Sequence, residues 1–292
     1  MKSGFVALAG RPNVGKSSLV NALLERKVAI VSDKVQTTRN RIVACLHGEG
    51  WQMILLDIPG IHRPRHLLGE KLVRTATGTL SQVDLLWHVV DLSRLPGKGE
   101  EAVVRNFPAQ TCVLLAGNKR DLVPDEEVGA RMLSYASLHP YAGAFPISAL
   151  TGMGLGELRE VSLGFLPEGP AYYPEGTVTD QPESFVVAEL IREKILHLTR
   201  DEIPHAVAVI VDEMEERENL TYIRAVINVE RESQKGIIIG QGGRRLQEIG
   251  SLTRKELEGI LDRRIYLDLR VKLKKDWRNR EGFLRGMGLG GD

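Results

Sequence analysis

The sequence predicts two domains of different kinds: an α/β domain on a mixed, mostly parallel, doubly wound sheet, followed by a smaller α+β domain. Three observations predict this. The apolar runs Phe5–Ala9, Leu85–Asp91 and Thr111–Ala116 are continuous rather than alternating, as in parallel strands buried on both faces. The rhythm breaks after Leu166, where Pro167-Glu168-Gly169-Pro170 and Tyr172-Tyr173-Pro174-Glu175-Gly176 have the composition of a linker. Beyond it, strand-like segments alternate apolar and polar residues, and the elements run α-β-β-α-α-β. The expected layout is a first domain over 1–166, a linker over 167–182, a second domain over 183–282 and a flexible tail over 283–292.

Taken in order, Phe5–Ala9 reads as a strand and Ser17–Glu25 as a helix. Arg41–His47 and Gln52–Asp57 bracket a Gly48-Glu49-Gly50 turn and so form an antiparallel hairpin. Helical patterns at Leu67–Ser81 and Glu100–Asn106 separate the later strands, and Ala144-Phe145-Pro146-Ile147 is a further short run. In the second domain Ser184–Thr199 is amphipathic, with Ser184 as candidate cap. His205–Glu213 and Thr221–Glu230 alternate as strands, and Arg244–Ile249 and Leu252–Leu261 read as two helices. Ile265–Lys274 is the last strand, with Lys272 and Lys274 on one face, opposite Val271 and Leu273. The glycine-rich end from Gly286 is expected to fray.

Bulk properties exclude several classes. With 292 residues, 42% hydrophobic and 26% charged, the chain has material for two real cores. A net charge of +1 recruits no polyanion by itself, so a nucleic-acid surface requires local segregation of basic residues. Cys45 and Cys112 have no CxxC spacing, lie in apolar strand-like stretches and read as buried, reduced thiols. No apolar run reaches the roughly 18 residues that span a bilayer. The run Met1–Gly10 is too short for a signal peptide and ends in a loop with chemistry of its own. A cytoplasmic protein is expected.

That loop is Gly10-Arg11-Pro12-Asn13-Val14-Gly15-Lys16-Ser17, of the form GxxxxGK[ST], placed after a strand and opening a helix. Its backbone N–H groups can wrap phosphate oxygens, and the helix N-terminus adds favourable partial charge. Lys16 is expected to bridge the β- and γ-phosphates, and Ser17 Oγ to ligate Mg²⁺. The base is read further on. Asn118-Lys119-Arg120-Asp121 follows a strand in the NKxD form: the Asp121 carboxylate can accept from guanine N1–H and N2–H₂, donors that adenine lacks. Asn118 is expected to brace the loop, Lys119 to cover the base with its stem, and Ser148-Ala149 to present the Ala149 N–H to guanine O6.

Asp57-Ile58-Pro59-Gly60 ends a strand as DxxG. Asp57 is expected to hold Mg²⁺ through water, and the Gly60 N–H to sense the γ-phosphate. Either Thr37 or Thr38, in the polar loop before the hairpin, can complete the Mg²⁺ shell. Both loops would relax when the γ-phosphate leaves. In Ras-like enzymes a glutamine after DxxG orients the attacking water. Here that position is Ile61, which has no polar side-chain atom, and the neighbouring His62 reads as a surface residue of the loop. Slow intrinsic hydrolysis is expected.

In the second domain, Ile239-Gly240-Gln241-Gly242-Gly243-Arg244-Arg245 carries GxxG, a side-chain-poor turn at a helix start that lets backbone approach the phosphodiesters of a single strand. By pattern it lies between a strand pair and a helix pair. Arg244, Arg245, Arg254, Lys255, Arg270, Lys272, Lys274, Lys275, Arg278 and Arg280 make its surroundings basic.

With these residues in hand, the chain resembles the bacterial Era family of GTPases over nearly its whole length. The resemblance rests on GRPNVGKS from Gly10, QTTRNRI from Gln36, DIPGIH from Asp57, NKRD from Asn118, SAL from Ser148, IREKI from Ile191 and IIGQGG from Ile238. It implies a P-loop GTPase domain followed by a type II KH domain, with GTP/GDP and Mg²⁺ as ligands. The nucleotide-binding residues it implies are Gly10, Asn13, Val14, Gly15, Lys16, Ser17, Ser18, Asp57, Gly60, Asn118, Lys119, Asp121, Ser148, Ala149 and Leu150. It favours Thr38 over Thr37 beside Ser17 and Asp57 at the metal. It also implies that Asn13 can ligate a K⁺ ion in place of an arginine finger, giving Lys16, Asn13, Thr38 and Gly60 as the catalytic set. RNA would meet Ile239, Gly240, Gln241, Gly242, Gly243, Arg244, Arg245, Lys272, Lys274 and Lys275. The implied partners are the 3′ region of 16S ribosomal RNA and the 30S subunit in its maturation. A monomer is expected, with peripheral association at the inner face of the cell membrane. A hydrophobic residue at Ile61 fits this group; Ile58 and Ser18 stand where threonine is common, at positions that are not required ligands.

Two related families fit less well. A tandem double-GTPase factor needs a second phosphate loop, and a tRNA-modification GTPase needs an enclosing helical domain and a terminal cysteine; the sequence has none of these. From another class, a signalling or membrane-surface GTPase would use the basic stretch Lys272–Arg280 on protein or anionic lipid.

Overall fold

The computed structural model describes all residues except 33, 35, 36, 62, 63, 65, 201, 202 and 290–292, and the side chains of Pro204 and His205. Gln36 and His62, singled out above, lie outside the described residues. The chain forms two compact units, one ending at Asp180 and the other running from Gln181.

The first unit contains β1 (Lys2–Ala9), α1 (Lys16–Leu24), β2 (Ile42–Gly48), β3 (Trp51–Asp57), α2 (Leu67–Leu80), β4 (Leu85–Asp91), α3 (Lys98–Val104), β5 (Cys112–Asn118), α4 (Asp125–Ala136), β6 (Gly143–Pro146) and α5 (Leu155–Leu163). Its sheet has the order β2-β3-β1-β4-β5-β6. Among the described residues, β2 and β3 are the only strands of this sheet that pair antiparallel. Alternate residues of β1 enter opposite cores: Val6 and Leu8 pack on one side of the sheet, Ala7 and Ala9 on the other. This is why the run is continuously apolar. The doubly wound reading is therefore correct, and it places the loops after β1, β3, β5 and β6 at one edge, where such sheets bind ligands.

Residues 167–180, read as a linker, lie along the β2–β3 hairpin. The Gln52 side chain, almost fully buried, accepts from the Tyr172 and Tyr173 amides (2.8 and 3.1 Å) and donates to Tyr173 O (2.7 Å). The Cys45 amide donates to Val178 O (2.9 Å), and Thr179 Oγ1 donates to Val43 O (2.6 Å). The strap thereby covers the open edge of β2, an edge that would otherwise expose unpaired backbone groups. Cys45 is buried as expected. Cys112 is not: it opens β5 and is exposed.

The second unit contains α6 (Glu183–Leu198), α7 (Ile203–Ala206), β7 (Ala208–Arg217), β8 (Leu220–Val229), α8 (Glu232–Ile239), α9 (Arg244–Leu261), β9 (Ile265–Leu273) and α10 (Glu281–Gly286). In its sheet β7 pairs antiparallel and β9 parallel with β8. Three expectations need correction. Pro182, not Ser184, is at the N-cap of α6. The two helices expected over 244–261 are one. Gly250 costs a helix about 1 kcal/mol, but Leu246, Ile249, Thr253, Leu257 and Leu261 form one uninterrupted stripe against the core. The other member of the helix pair is α8, started by Gln234, whose Oε1 accepts from the amides of Glu230 (2.9 Å) and Arg231 (3.0 Å). The GQGG turn thus lies between two helices. The described part of the expected tail, 283–289, is also packed: Leu284 and Leu289 are buried, and the Leu289 amide donates to Leu284 O (2.9 Å). Among the described residues no helix is long and apolar enough to cross a membrane.

Candidate functional site

The loop between β1 and α1 turns through Asn13 (φ 66°) and Gly15 (φ 98°). A Cβ at Gly15 would lie 2.2 Å from Asn118 Nδ2, so both sterics and dihedral require glycine there. Lys16 Nζ donates back across the loop to Gly10 O (3.3 Å) and Arg11 O (3.0 Å). Burial lowers the Lys16 pKa, against the opposing pull of Asp57 and Glu100.

Three side chains from distant parts of the sequence meet at the start of α1. Ser17 Oγ donates to Asp57 Oδ2 (2.5 Å), Thr38 Oγ1 donates to the same oxygen (3.4 Å), and the two hydroxyls are 2.9 Å apart. Asp57 is fully buried, and its other oxygen, Oδ1, has no hydrogen-bond partner among the described residues. Burial raises the Asp57 pKa; Lys16, Ser17 and Thr38 oppose this without cancelling it. A buried carboxylate costs several kcal/mol, whereas hydrogen bonds to a charged group return about 1.5–3 kcal/mol each at best. The site is short of positive charge, with hydroxyl and carboxylate oxygens that suit a hard divalent cation such as Mg²⁺. Among the described residues no group of three or more His, Cys, Asp or Glu could hold a metal alone, so such an ion would need further ligands from substrate phosphates and water. Gly60 packs against the phosphate loop: a Cβ there would meet Pro12 N at 2.8 Å. Ile61 is buried in the core beside α2, so nothing at that position can orient water.

On the other side of the phosphate loop, Asn118 Nδ2 donates to Val14 O (2.8 Å), and Asn118 Oδ1 accepts from the Ala149 amide (2.9 Å). One side chain thus ties three loops together, which is the bracing role expected of it. Ser148 Oγ donates to Asp121 Oδ1. The Ala149 N–H, expected at guanine O6, is held by Asn118 in this structure. Leu150, next to it, is exposed.

In the second unit, Gly240 (φ 73°), Gly242 (φ 60°) and Gly243 (φ 79°) carry the turn between α8 and α9, and α9 has no acidic residue in its first turn. Arg245 Nη1 donates to Ile237 O (2.6 Å), fixing the turn, while Gln241 and Arg244 are exposed. A groove of about 410 Å³ runs from Gly243 between α9 and β9, with Leu246, Leu269 and Arg254 among its walls and Tyr266 at its edge. Lys272 and Lys274 are not brought to it. They have the opposite parity on β9 from Leu267, Leu269 and Val271, which pack toward α9, and Lys274 lies over the Phe283 ring. Lys275 is exposed beyond the strand.

Sequence reasoning missed several residues. Tyr266 lines the groove together with Leu246 and with Arg254, which the basic surroundings of the GQGG turn had already marked. Asp91 holds Lys119, and Glu100 faces Arg11 of the phosphate loop (3.7 Å). A carboxylate ending a buried strand was the available signal for Asp91.

The family described as a 50S ribosome-binding GTPase matches residues 5–119, and the KH domain family matches residues 202–278. The GTPase Era of Heliobacterium modesticaldum is 49% identical over 291 residues, 99% of this chain and 97% of its own. Two crystal structures match over 100% of both chains with TM-score 0.96 and 40% identity: a point variant of Aquifex aeolicus Era bound to GDP·AlF₄⁻, and Era in complex with MgGDPNP and nucleotides 1506–1542 of 16S ribosomal RNA.

Proposed function

Because the chain belongs to the Era family of GTPases, we propose that it binds and hydrolyses GTP at the Ser17–Thr38–Asp57 cluster and couples this to small-subunit ribosomal RNA held by its KH domain, during 30S maturation. The observation that carries the first half is the convergence of Ser17 and Thr38 hydroxyls on a buried, half-unsatisfied Asp57, next to Lys16. Ser17 and Thr38 would hold Mg²⁺ directly, and Asp57 through water. When bound, the ion would neutralise charge on the phosphates during transfer. The buried Lys16 ammonium sits where β- and γ-phosphate oxygens enter the loop. Gly60, pressed on Pro12, brings its N–H to the γ-phosphate side. Asp121 selects guanine by accepting from N1–H and N2–H₂, and Asn118 keeps the base loops in register with the phosphate loop.

Ile61 supplies no polar atom for the attacking water, so Asn13 carries K⁺-assisted charge neutralisation in this proposal. For the RNA, the GQGG backbone and the start of α9 receive the phosphodiesters, and the groove wall of Leu246 and Leu269 with Arg254 receives bases. The family matching the first domain is described by the large ribosomal subunit, whereas the relative that matches both domains was crystallised with small-subunit RNA, which supports the small subunit as partner. The protein acts as a monomer in this reading, and the basic stretch Lys272–Arg280 provides the peripheral contact with anionic membrane lipid.

Single-turnover hydrolysis tests the nucleotide half. Ser17→Ala should lower the Mg²⁺-dependent rate by about 100-fold, and K⁺ should support a faster rate than Na⁺. Equal rates in the two salts would remove the role given to Asn13, and an unaffected Ser17→Ala would remove the metal assignment.

A further inference from the structure

Lys119 lies two residues before Asp121, the carboxylate that reads the base, and an ammonium so placed has two carboxylates within its chemistry. It is bound to the other one. Lys119 Nζ donates to Asp91 Oδ2 at 2.6 Å. Asp91 ends β4 directly opposite Asn118 at the end of β5, and the Leu92 amide donates to Asn118 O (2.9 Å), so the two strand ends are locked in register. The Asp91 carboxylate is itself fixed: its Oδ1 accepts from both the Ser93 amide (3.0 Å) and Ser93 Oγ (2.6 Å). Lys119 sits in the left-handed region (φ 62°), a conformation that sets where its side chain departs. Asp121, meanwhile, takes its donor from Ser148.

From this arrangement we infer that Asp91 is a positioning residue for guanine recognition, acting through Lys119. By holding the ammonium at the end of β4, it stretches the Lys119 stem into the place where a base would lie and keeps that charge away from Asp121. The inference rests on the reading of Asn118–Asp121 as the guanine site. The local electrostatics agree. Burial pushes the Asp91 carboxyl upward, but the hydrogen bonds from Lys119 and Ser93 outweigh it and leave the group below its usual range, ionised at neutral pH. Arg94, at 4.0 Å from Oδ2, is largely exposed and lies on the solvent side, so it is no substitute for Lys119.

The charge-assisted contact is short and mostly shielded from water, a setting in which such bonds have measurable worth. The test is a double-mutant cycle on the full chain, read by fluorescent GDP binding with Mg²⁺. Asp91→Asn keeps the acceptor for Ser93 and removes the charge facing Lys119. It should weaken GDP about tenfold, with kcat at saturating GTP changed less than about twofold. Lys119→Ala should weaken GDP by a similar factor, and adding Asp91→Asn to it should cost less than about twofold more. Asp91→Glu, which retains the charge, should recover most of the affinity, whereas a purely structural role would show as equal losses in both backgrounds. Such equal losses, or an Asp91→Asn variant that binds GDP like the parent, overturn the inference. Asp121→Asn separates this from the reading beneath it. If that variant exchanges guanosine for xanthosine diphosphate while Asp91→Asn is silent, the guanine site stands and the Asp91 role falls. If Asp121→Asn does not change base preference, the guanine reading falls and the inference with it.

Discussion

At the nucleotide site, Ser17, Thr38 and Asp57 on one side, and Asn118, Asp121 and Ser148 on the other, are tied into place by side-chain hydrogen bonds. At the GQGG turn the walls are backbone, and the groove beside it has a few long side chains and much open space. The first arrangement positions charge to within a fraction of an ångström, as phosphate chemistry needs. The second presents N–H groups and an apolar wall that tolerate variation along a strand. A methyl group measures the difference. At Gly60 it would collide with Pro12 N, whereas at Gly242 and Gly243 nothing lies within 4 Å.

The largest effect should come from Gly60→Ala. Forcing this loop off Pro12 displaces the N–H intended for the γ-phosphate, and single-turnover hydrolysis should fall about 100-fold, with GDP affinity nearly unchanged. A fall in GDP affinity of the same size would show that the loop serves the whole site. Next is Gly242→Asp, which puts a carboxylate where phosphodiesters are to lie. RNA affinity should drop at least about tenfold, and GTP hydrolysis without RNA should be untouched. Gly242→Ala should do far less, since only the positive φ resists it, at a cost of roughly 1 kcal/mol of stability.

The smallest effect concerns stability behind the phosphate loop. His88 is fully buried on β4, with Nδ1 2.7 Å from Tyr141 Oη and Nε2 3.7 Å from the buried Glu100. Burial, the largest cause, holds its pKa below the ordinary 6.5, although Glu100 pulls it upward. The unfolded chain therefore takes up a proton that the folded chain refuses. Stability from this group is complete above about pH 6.5 and declines as pH falls below it, by at most about 1.4 kcal/mol per pH unit. Denaturant titrations of the parent and His88→Gln between about pH 5 and 7.5 should show a flatter dependence in the variant. Parallel curves would assign the acid sensitivity elsewhere.

Much of the nucleotide site was legible because its motifs are local. The phosphate loop, DxxG, NKxD and SA each carry their chemistry in a few consecutive residues at strand ends, and buried parallel strands announce themselves as apolar runs. What stayed hidden depends on register or on competition between weak signals. Asp91 meets Lys119 only because β4 and β5 pair Asp91 with Asn118. The stretch 244–261, read as two helices, is one, because the core stripe along it outweighs the cost of Gly250. α8 was overlooked because Gly236 and the β-branched run Ile237–Ile239 disfavour helix locally, while Gln234 capping and core packing of Ile238 supply what propensity lacks. The basic residues around β9 were assigned to RNA from charge and family resemblance; Lys272 has the opposite strand parity from Leu267 and Leu269 of the groove, and Lys274 lies just beyond the strand over the Phe283 ring.

The most direct test of the central claim is the affinity of a fluorescent single-stranded RNA, matching the 3′ end of small-subunit ribosomal RNA, for protein loaded with GDP or with a non-hydrolysable GTP analogue. Linkage between the two sites predicts tighter binding with the analogue, and loss of that binding in Gly242→Asp. Equal affinity with GDP, with the analogue and without nucleotide would contradict the coupling. Absence of RNA binding in every state would turn the second domain toward a protein or lipid partner.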